Sequence, residues 1–346
     1  MTKKNNVDIL YIGNRLSKHG STPTNIDTLG PLLEAEGYRM RCASNKLNMF
    51  LRMTDMLSHI VRHSKNVRMV LIDTYSTNAF YFAWMSSWLC RMLRVPYVPI
   101  LHGGNLPQRI NDFPVLASQL FGNSYTNIVI SGYLKQCLDH KGFKNQLIPN
   151  NIELTAYPFC QRRKIGPKLF WLRAFHKTYN PKMAIEVLAI VLKSYPDATL
   201  TMVGPEKDGS MAECKKLAGQ LAITGNVSFT GKLSKSDWVT LSKQHDIFIN
   251  TTDFDNLPVS VIEAMALGFP VVSTNVGGMP FLVSNGVDGV LTRVGDANEM
   301  SEAIIDLLRS EEKVSQMSLA ARQKVEKFDW QIVRHKWHNL IDSLPN

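Results

Sequence analysis

The sequence lacks the features that would carry a chain into or across a membrane. No run of about 18 uncharged apolar residues occurs in its 346 residues, so we expect no membrane-spanning helix. The N-terminal stretch MTKKNNVDILYIG has no apolar core and no cleavage site, so we expect no secretory signal peptide. Internal repeats and low-complexity tracts are also absent. The composition, 45% hydrophobic and 20% charged, is that of a globular protein, and the length suggests about two domains.

Cysteine is scarce, and its spacing indicates neither a disulfide framework nor a metal site. The five cysteines are odd in number, scattered and without a CxxC pattern. We interpret them as reduced thiols with mostly structural roles, as in a cytoplasmic protein. They are Cys42, Cys90, Cys137, Cys160 and Cys214.

Acidic residues are scarce in the first half of the chain. Residues 1–165 carry 20 Lys and Arg against 9 Asp and Glu, whereas residues 166–346 carry 19 against 20. The net charge of +10 therefore comes from the first half. Such asymmetry is typical of a protein that meets an anionic partner, such as lipid headgroups or a phosphorylated substrate, although it also serves solubility alone. No nucleic-acid-binding motif accompanies it, so we expect no nucleic-acid partner.

Short β-rich runs alternate with helical stretches, a pattern typical of parallel α/β layers. A first series predicts strands at 7–12, 67–72, 97–101 and 128–130. A second series predicts strands at 199–203, 227–230, 247–250 and 271–274. Between the series lies a polar, basic stretch at 149–168 with little periodicity. We therefore predict an α/β fold with two successive Rossmann-like domains.

Three predicted helices have apolar faces that need a surface to cover. The stretch 45–66 mixes Met, Phe, Leu and Ile with basic residues, and the stretch 78–94 is aromatic and ends in arginines. Either could lie on a membrane surface or pack against a sheet, and the position of 78–94 between two strands favours packing. A third amphipathic helix ends the chain, with Ile332, Val333 and Trp337 at helical spacing.

The run DNLPVSVIEAMALGFPVV at 255–272 places one acid, Glu263, inside an apolar helix. Pro258 suits the first turn of that helix, and Asp255 or Asn256 can cap it. No Lys or Arg occurs between residues 244 and 292, so no local cation neutralises Glu263. A buried carboxylate needs hydrogen-bond donors, and the two hydroxyls of a ribose, backbone amides or a distant arginine would each supply them.

Several ordered motifs resemble those of retaining glycosyltransferases of family GT4, also called glycosyl transferases group 1, which have the GT-B fold. The main one is NTTDFDNLPVSVIEAMALGFPVVSTNVGGMPFLV followed by VSNGVDGVL, which resembles the donor-site signature E-x7-E and EAMA-x-G-x-P-V-V. IPNNI at 148–152 resembles the junction between domains, and SGYLKQCL at 131–138 resembles a strand–Ser–helix step of the first domain. WLRAFHKTYN at 171–180, continuing to Gly204, resembles the segment that binds the donor phosphates.

This resemblance implies roles for residues of the second half. Glu263 would hold the nucleotide ribose, Asp255 would contact hydroxyls of the donor sugar, and Arg173 with Lys177 would bind the diphosphate. The turn at 256–260 would add phosphate contacts through the start of the helix. The remaining cofactor-site residues implied by the resemblance are Asn256, Leu257, Val259, Ser260 and Gly204, with Lys232 and Leu233 beside the base.

The first half offers fewer candidates. His102, in HGGNLPQR after a predicted strand, resembles the family's active-site histidine, which contacts the sugar or the acceptor. The alternative is a structural histidine in a glycine-rich turn, which would give the same sequence pattern. Gly20, in a Gly-Ser-Thr loop, resembles a glycine near the donor phosphate. Arg109 is a candidate contact for an acceptor phosphate.

Two departures from the family pattern concern the donor site. Asp255 stands where the family has a Glu, and Asn256-Leu257-Pro258 replaces a Gly-x-Gly, so we expect a differently shaped sugar pocket. Asp253-Phe254-Asp255 also forms a D-x-D pattern, which in a different glycosyltransferase fold binds a divalent metal. The helix and the Gly-Gly turn around it fit GT-B better, so we expect no metal and no cofactor besides the donor substrate.

Together these features predict a two-domain GT-B enzyme with its active site in the cleft between the domains. Residues 1–152 would bind the acceptor, residues 153–328 the nucleotide-diphospho-sugar, and residues 329–346 would form a helix that crosses back to the first domain. The acceptor would be a glycan or a lipid-linked intermediate at an anionic membrane surface on the cytoplasmic side. A noncatalytic subunit with the same fold, or a nucleotide-sugar epimerase or hydrolase, is the alternative.

Overall fold

The computed structural model describes residues 8–19 and 24–344, which form two compact units. The first unit contains the described residues up to 149 together with residues 335–344. The second unit contains residues 150–334. We predict domain boundaries at 152/153 and 328/329. The units meet at 149/150, three residues before the first predicted boundary, and at 334/335, six residues after the second.

Within the described residues, the first unit is built on a parallel sheet of six strands in the order β2-β1-β3-β4-β5-β6. The central strands are buried on both faces, which is why their sequences contain continuous apolar runs such as ILYI in β1 and MVLI in β3. The strands are β1 Ile9–Ile12, β2 Met40–Ala43, β3 Met69–Thr74, β4 Tyr97–Leu101, β5 Asn127–Val129 and β6 Asn145–Leu147.

Helices cover both faces of this sheet. α2 and α3 pack against each other, and α3 also packs against α5. α3 buries Phe80, Phe82 and Cys90 in the core, so its predicted packing against the sheet is confirmed. The helices are α1 Asn25–Ala35, α2 Met49–His63, α3 Ala79–Met92, α4 Leu106–Asp112, α5 Pro114–Phe121 and α6 Gly132–His140.

The second unit has the same architecture, with six parallel strands among its residues in the order β12-β11-β10-β7-β8-β9. Its core packs around the buried Trp171 and Phe175. The strands are β7 Lys168–Leu172, β8 Thr199–Val203, β9 Val227–Gly231, β10 Ile247–Asn250, β11 Val271–Thr274 and β12 Val290–Thr292. The helices are α7 Pro181–Val191, α8 Ser210–Gln220, α9 Lys235–Ser242, α10 Val259–Ala266, α11 Met279–Leu282, α12 Ala297–Leu308 and α13 Glu311–Glu326. A last helix, α14 Trp330–Asp342, begins in the second unit and continues into the first.

The predicted α/β architecture is confirmed, and four strands have their predicted bounds: β4, β8, β10 and β11. Four strands were missed: β2, β6, β7 and β12. Three of these, β2, β6 and β12, lie at sheet edges and are only partly buried, so they lack the apolar run that marks a buried strand. The fourth, β7, lies at the centre of its sheet, but its apolar residues follow directly on the polar, basic stretch at 149–168 between the two strand series.

The terminal helix α14 ends in the first unit. There the Tyr125 hydroxyl donates to the Ser343 carbonyl at 2.7 Å, and Arg68 donates to the Ile341 carbonyl at 3.3 Å. The ring of His338 meets the Tyr38 ring edge-on. Among the helices of the described residues, none has the length and apolarity needed to cross a membrane.

Candidate active site

Helix α10 begins directly after a proline. Pro258 has extended backbone angles (φ −69°, ψ 115°), and its carbonyl accepts from the amide of Val261 at 3.1 Å. Our prediction that Asp255 or Asn256 caps this helix is wrong, because no described side chain caps it. The Asp255 carboxylate instead accepts from the amide of Asn256 at 2.8 Å. The first turn of α10 therefore keeps amide groups without a side-chain cap.

Glu263 lies in the second turn of α10 and is only 9% exposed. Its Oε1 accepts a short hydrogen bond from the Tyr157 hydroxyl, and the Lys235 ammonium lies 3.6 Å from the same oxygen. Burial raises the pKa of Glu263 above its usual range, and the contacts with Tyr157 and Lys235 oppose that rise. The described residues supply no hydrogen-bond partner for Oε2, so this oxygen remains available to a ligand.

The partners of Glu263 come from outside its own segment and are neither backbone amides nor a distant arginine. The segment 244–292 has no Lys or Arg, but Lys235 at the start of α9 supplies the cation and also lies 4.9 Å from the Tyr157 ring centroid. Sequence reasoning missed both residues. Lys235 stands three positions after the candidate Lys232, which is a signal that could have found it. Tyr157 lies in the polar, basic stretch at 149–168 and gives no such signal.

Arg173 follows the last residue of β7, and the fold brings it to the start of α10. Its Nη2 forms a short ion pair with Asp255 Oδ2, and its Nη1 donates to Ser260 Oγ at 3.4 Å. The guanidinium carbon lies 3.9 Å from the centroid of the Tyr179 ring. Arg173 Nε is buried and has no hydrogen-bond partner among the described residues. Three predicted site residues, Arg173, Asp255 and Ser260, are thus in direct contact.

Two glycines allow the backbone to pack tightly around this cluster. Gly204 has φ +152°, and a Cβ there would lie 1.7 Å from the Arg173 carbonyl oxygen. A Cβ at Gly278 would lie 1.5 Å from the Asn256 carbonyl oxygen. Only glycine fits at such distances. Gly204 therefore acts by positioning Arg173, and Gly278 in the Gly-Gly turn positions the loop that carries Asp255.

The two carboxylates of the D-x-D pattern have different partners. Asp253 Oδ1 accepts from the Asn180 side-chain amide at 2.9 Å, and its backbone amide donates to the Thr178 carbonyl at 2.9 Å. Asp255 pairs with Arg173. Asp253 therefore fastens the loop after β10 to the loop after β7, whereas Asp255 belongs to the cluster at the start of α10.

The structure does not connect every predicted residue to this cluster. Lys177 and Lys232 are exposed, and the part of the chain that the structure describes contains no ion pair with either ammonium. Leu233 is half-buried, and Val259 is 37% exposed at the first position of α10. Asn256 and Leu257 are buried, so they shape the loop from within. These side chains remain predicted contacts of the donor.

A second polar cluster lies at the carboxyl ends of β3 and β4 in the first unit. His102 Nε2 lies 2.7 Å from Oδ1 of the buried Asp73, and the same oxygen accepts from the Tyr11 hydroxyl at 2.8 Å. Asn25 donates to the Tyr11 oxygen at 2.7 Å. The ring of Tyr75 stacks on the imidazole at 5.2 Å between centroids. Sequence reasoning found His102 but missed Asp73, although an acid directly after the apolar strand predicted at 67–72 is itself a signal.

Of the other candidates in the first unit, Arg109 already has contacts within the protein and Gly20 is not among the described residues. The Arg109 Nε donates to the Ser76 carbonyl at 2.9 Å, and its guanidinium carbon lies 5.0 Å from the Phe113 ring centroid. Arg109 therefore fastens the loop after β3 to α4, and a phosphate contact through its remaining N–H groups stays a prediction. Gly20 lies outside the described residues.

The second unit is similar to a known protein family. Residues 161–324 match the family of glycosyl transferases group 1. The chain carries a glycosyl transferases group 1 domain. The matched range includes Arg173, Asp255, Glu263 and the newly found Lys235, whereas Tyr157 precedes it. The implied match to glycosyl transferases group 1 is therefore confirmed for the unit that holds the larger cluster, whereas the finer assignment to GT4 stays a prediction.

Curated relatives align with part of the chain. It is 27% identical over 192 residues to the glycogen synthase of Mycobacterium tuberculosis, an alignment that covers 54% of this chain and 45% of the relative. It is 29% identical over 161 residues to the sulfoquinovosyl transferase SQD2 of Arabidopsis thaliana, which covers 45% of this chain and 30% of the relative. The aligned part spans less than half the length of each of these relatives.

Solved structures resemble the chain over nearly its whole length. The sucrose-phosphate synthase of Thermosynechococcus elongatus superposes with a TM-score of 0.79 at 16% identity, covering 97% of this chain and 98% of that one. Alr3699/HepE of Anabaena, solved in complex with UDP, gives 0.79 at 17% identity, covering 97% and 100%. At such low identity the likeness establishes the fold alone. The glycosyl transferases group 1 domain is thus part of a GT-B fold, as the resemblance implied.

Proposed function

We propose that the protein is a retaining glycosyltransferase that moves a sugar from a nucleotide-diphospho-sugar to a glycan or lipid-linked acceptor. The observation that carries this proposal is the cluster at α10, where Arg173, Asp255 and the buried Glu263 lie within one group 1 domain. A neighbouring fold, Alr3699/HepE of Anabaena, was solved with UDP and with UDP-glucose, which supports a nucleotide-sugar donor.

The ribose of the donor is proposed to bind at Glu263. A carboxylate accepts two hydrogen bonds readily, and the hydroxyls of a ribose supply two donors. Tyr157 and Lys235 both contact Oε1, which holds the carboxylate in place and leaves Oε2 for the ligand. Because Lys235 is half-exposed, water or ligand can reach it as well. The energetic cost of burying Glu263 is then offset when the nucleotide binds.

The diphosphate is proposed to bind at Arg173 and at the start of α10. The guanidinium carries a permanent charge, and the uncapped amides of the first turn of α10 point a partial positive charge toward an anion. Asp255 pairs with Arg173 and neutralises its charge. Donor phosphate would replace Asp255 as the partner of Arg173, and this exchange frees the Asp255 carboxylate to accept from hydroxyls of the sugar.

The proposed chemistry combines these positions with the retaining mechanism that the family resemblance implies. As the bond between the sugar C1 and the phosphate oxygen breaks, negative charge grows on the diphosphate, and Arg173 and Lys177 stabilise it. The acceptor hydroxyl attacks C1 from the same face, and its proton passes to the departing phosphate oxygen, so the anomeric configuration is retained. In the first unit His102, oriented by Asp73, is proposed to contact the sugar or the acceptor. No metal ion is required by this scheme.

The acceptor is proposed to be a cell-surface polysaccharide or glycolipid intermediate met at the cytoplasmic face of a membrane. The basic first half of the chain, with 20 Lys and Arg against 9 Asp and Glu, supports an anionic or membrane-held acceptor. A phosphorylated soluble acceptor shares the same chemistry. Transfer to a lipid-linked acceptor and to a soluble phosphorylated sugar, measured side by side, would distinguish the two.

Calorimetric titration with UDP-, GDP- and ADP-sugars tests donor binding. Glu263→Ala is expected to weaken the affinity for the preferred nucleotide by about 100-fold, because a bidentate acceptor for the ribose is lost. Glu213→Ala, an exposed acid on α8, is the matched control and should leave the affinity unchanged. An unchanged affinity for Glu263→Ala would refute the ribose assignment.

Product analysis tests the transfer itself. The anomeric configuration of the product, read by NMR from the coupling at C1, should match that of the donor, and transfer should persist in EDTA. Donor binding without product, across lipid-linked and glycan acceptors, would instead indicate a noncatalytic subunit. Release of free sugar or of an epimerised donor would indicate the hydrolase or epimerase alternative.

A further inference from the structure

An exposed apolar surface lies on helices α2 and α3 of the first unit. We define this α2–α3 surface by eight exposed side chains: Leu47, Met49, Phe50, Leu51, Val61, Tyr81, Trp88 and Met92. Phe50 is 80% exposed, Met92 63% and Leu47 62%. Soluble proteins expose single apolar residues everywhere, but large apolar side chains grouped on neighbouring helices mark an interaction surface.

The two helices lie on the same face of the sheet. α2 connects β2 to β3 and α3 connects β3 to β4, so both crossovers run the same way along the parallel sheet and cover the same face. The two helices also pack against each other. Met56 and Ile60 of α2 and Phe80 of α3 are buried in the core, whereas the side chains of the α2–α3 surface are exposed along the same two helices and at the turn that precedes α2.

The apolar end of α2 is held in a fixed conformation. Asn48 caps the helix by accepting from the amides of Phe50 and Leu51 at 2.9 and 3.2 Å. Arg52 donates to the Leu47 carbonyl at 2.9 Å and to Asn14 Oδ1 at 3.0 Å, which fastens this turn to the loop after β1. The exposed Phe50 therefore stands on an ordered turn, so binding a partner costs little conformational entropy.

Three hydroxyl groups of the α2 segment already donate hydrogen bonds to the backbone, so burying them costs little desolvation free energy. Thr54, Ser58 and Ser64 each donate to the carbonyl three residues earlier, at 3.1, 2.8 and 2.9 Å. A hydroxyl that is already paired with its own backbone loses less on leaving water than a free one. The whole outer side of α2 can therefore enter the headgroup region of a bilayer without unpaired donors from these residues.

The charge around the α2–α3 surface is mostly positive. Residues 44–66 and 77–95 contain six cationic Lys and Arg against one acid, Asp55, which lies 3.8 Å from His59. The six are Lys46, Arg52, Arg62, Lys65, Arg91 and Arg94. Self-association through this surface would set like charges against each other, because the same patch meets itself in a two-fold dimer. An anionic lipid surface matches both the apolar side chains and the cations.

We propose that the α2–α3 surface docks the protein onto a bilayer containing anionic phospholipid, with Phe50 and its neighbours inserted and the flanking cations on the headgroups. Membrane docking needs no catalysis, and it rests on the proposed function only for the idea that the acceptor is met at that membrane. The two can therefore be tested separately.

Vesicle co-flotation tests the apolar contribution. The protein should float with vesicles of phosphatidylcholine mixed with phosphatidylglycerol, and only weakly with phosphatidylcholine alone. Phe50→Ser is expected to lower the partition about tenfold, since an inserted aromatic side chain is lost. Phe281→Ser replaces an exposed phenylalanine of α11 and is the matched control, expected to bind as the wild type does. Equal losses for both variants would overturn the assignment to this surface.

Charge removal tests the electrostatic contribution. The double variant Arg62→Gln with Lys65→Gln should weaken vesicle binding about 25-fold at low salt, at roughly fivefold per cation. The pair Lys193→Gln with Lys216→Gln removes two exposed lysines of the second unit and should have little effect. Wild-type binding should also fall as salt is raised. Binding that ignores both the charge variants and the salt would contradict the proposal.

The fluorescence of Trp88 reports the depth and face of docking. Brominated lipid in anionic vesicles should quench part of the tryptophan fluorescence, and Trp88→Phe should remove that quenching while binding persists. No flotation with anionic vesicles at low salt, or a dimer that Phe50→Ser dissociates, would overturn the membrane assignment. Nucleotide titration of the Phe50→Ser variant separates the two proposals, because its donor affinity should equal that of the wild type.

Discussion

Two buried carboxylates, Asp73 in the first unit and Glu263 in the second, are anchored by the same device. Each accepts from a buried tyrosine hydroxyl, Tyr11 for Asp73 and Tyr157 for Glu263. Burial and the neighbouring carboxylate raise the pKa of both phenols. Both tyrosines therefore remain protonated donors at physiological pH, and each acid keeps one permanent hydrogen bond.

The second partner differs, and this difference separates an orienting site from a ligand-binding site. Asp73 meets His102 at 2.7 Å, with side-chain exposures of 0% and 9%, so the acid is buried and the imidazole is only slightly exposed. Glu263 meets Lys235 at 3.6 Å, and the lysine side chain is 55% exposed. The buried Asp73 fixes the imidazole in one orientation, whereas the more open pair of Glu263 and Lys235 leaves Oε2 and the ammonium accessible to a ligand.

The largest expected effect compares the glycines beside the two clusters. Gly278→Ala should cost about 3 kcal/mol or more of unfolding free energy, because its Cβ would lie 1.5 Å from a backbone oxygen that cannot move. Gly13→Ala should cost about 1–2 kcal/mol, since its Cβ would lie 2.5 Å from the side-chain oxygen Oδ2 of Asp73, which can shift. Urea unfolding measures both, and equal costs would contradict the distinction between backbone and side-chain contacts.

Replacing the first-unit acid should lower transfer while sparing donor binding. Asp73→Asn is expected to reduce kcat by about 100-fold, because His102 loses the carboxylate that orients it. Nucleotide affinity should be unchanged, and the imidazole nitrogen signals of His102 in NMR should shift. Asp112→Asn, an exposed acid at the end of α4, is the control. Unchanged kcat with an unchanged imidazole spectrum would remove Asp73 from the positioning role.

Removing each tyrosine hydroxyl should have a smaller and unequal effect on ligand binding. Tyr157→Phe and Tyr11→Phe each delete a hydrogen bond to a buried carboxylate and should cost about 1.5–3 kcal/mol of stability. Only Tyr157→Phe should weaken nucleotide binding, by about tenfold, because Glu263 loses its anchor. A similar loss of affinity in Tyr11→Phe would show that the two sites are not independent.

The smallest expected effect is a pH dependence with opposite signs for binding and folding. Burial raises the pKa of Glu263, so this group takes up its proton above the pH at which an ordinary glutamate, at about 4.3, does so. As pH falls through the raised pKa, nucleotide affinity should drop severalfold, since a carboxylic acid accepts less strongly. The same protonation favours the folded state, because the fold binds this proton more tightly than the unfolded chain. Glu263→Gln should abolish the pH dependence of affinity.

The donor-side cluster was predictable in part because its residues are close in the chain or carry an unusual pattern. Asp255, Ser260 and Glu263 lie within nine positions, and a lone acid in an apolar helix is visible without a structure. Arg173 came from a resemblance alone, and its contact with Asp255 across 82 positions follows from the adjacency of β7 and β10. Tyr157 and Lys235 were not predicted, because Tyr157 carries no local signal and the position of Lys235 near Lys232 does not by itself point to Glu263.

Local hydrophobic pattern by itself determined the α/β class, the two series of buried strands and the burial of Glu263, since all three depend on neighbours within a few residues. The tertiary structure decided the partners of the buried acids, the ion pair that holds Arg173 and the exposure of Phe50. Parallel strands bring their carboxyl ends together only after distant crossovers have folded. The side chains that meet there are selected by the order of strands in the sheet, which no local pattern contains.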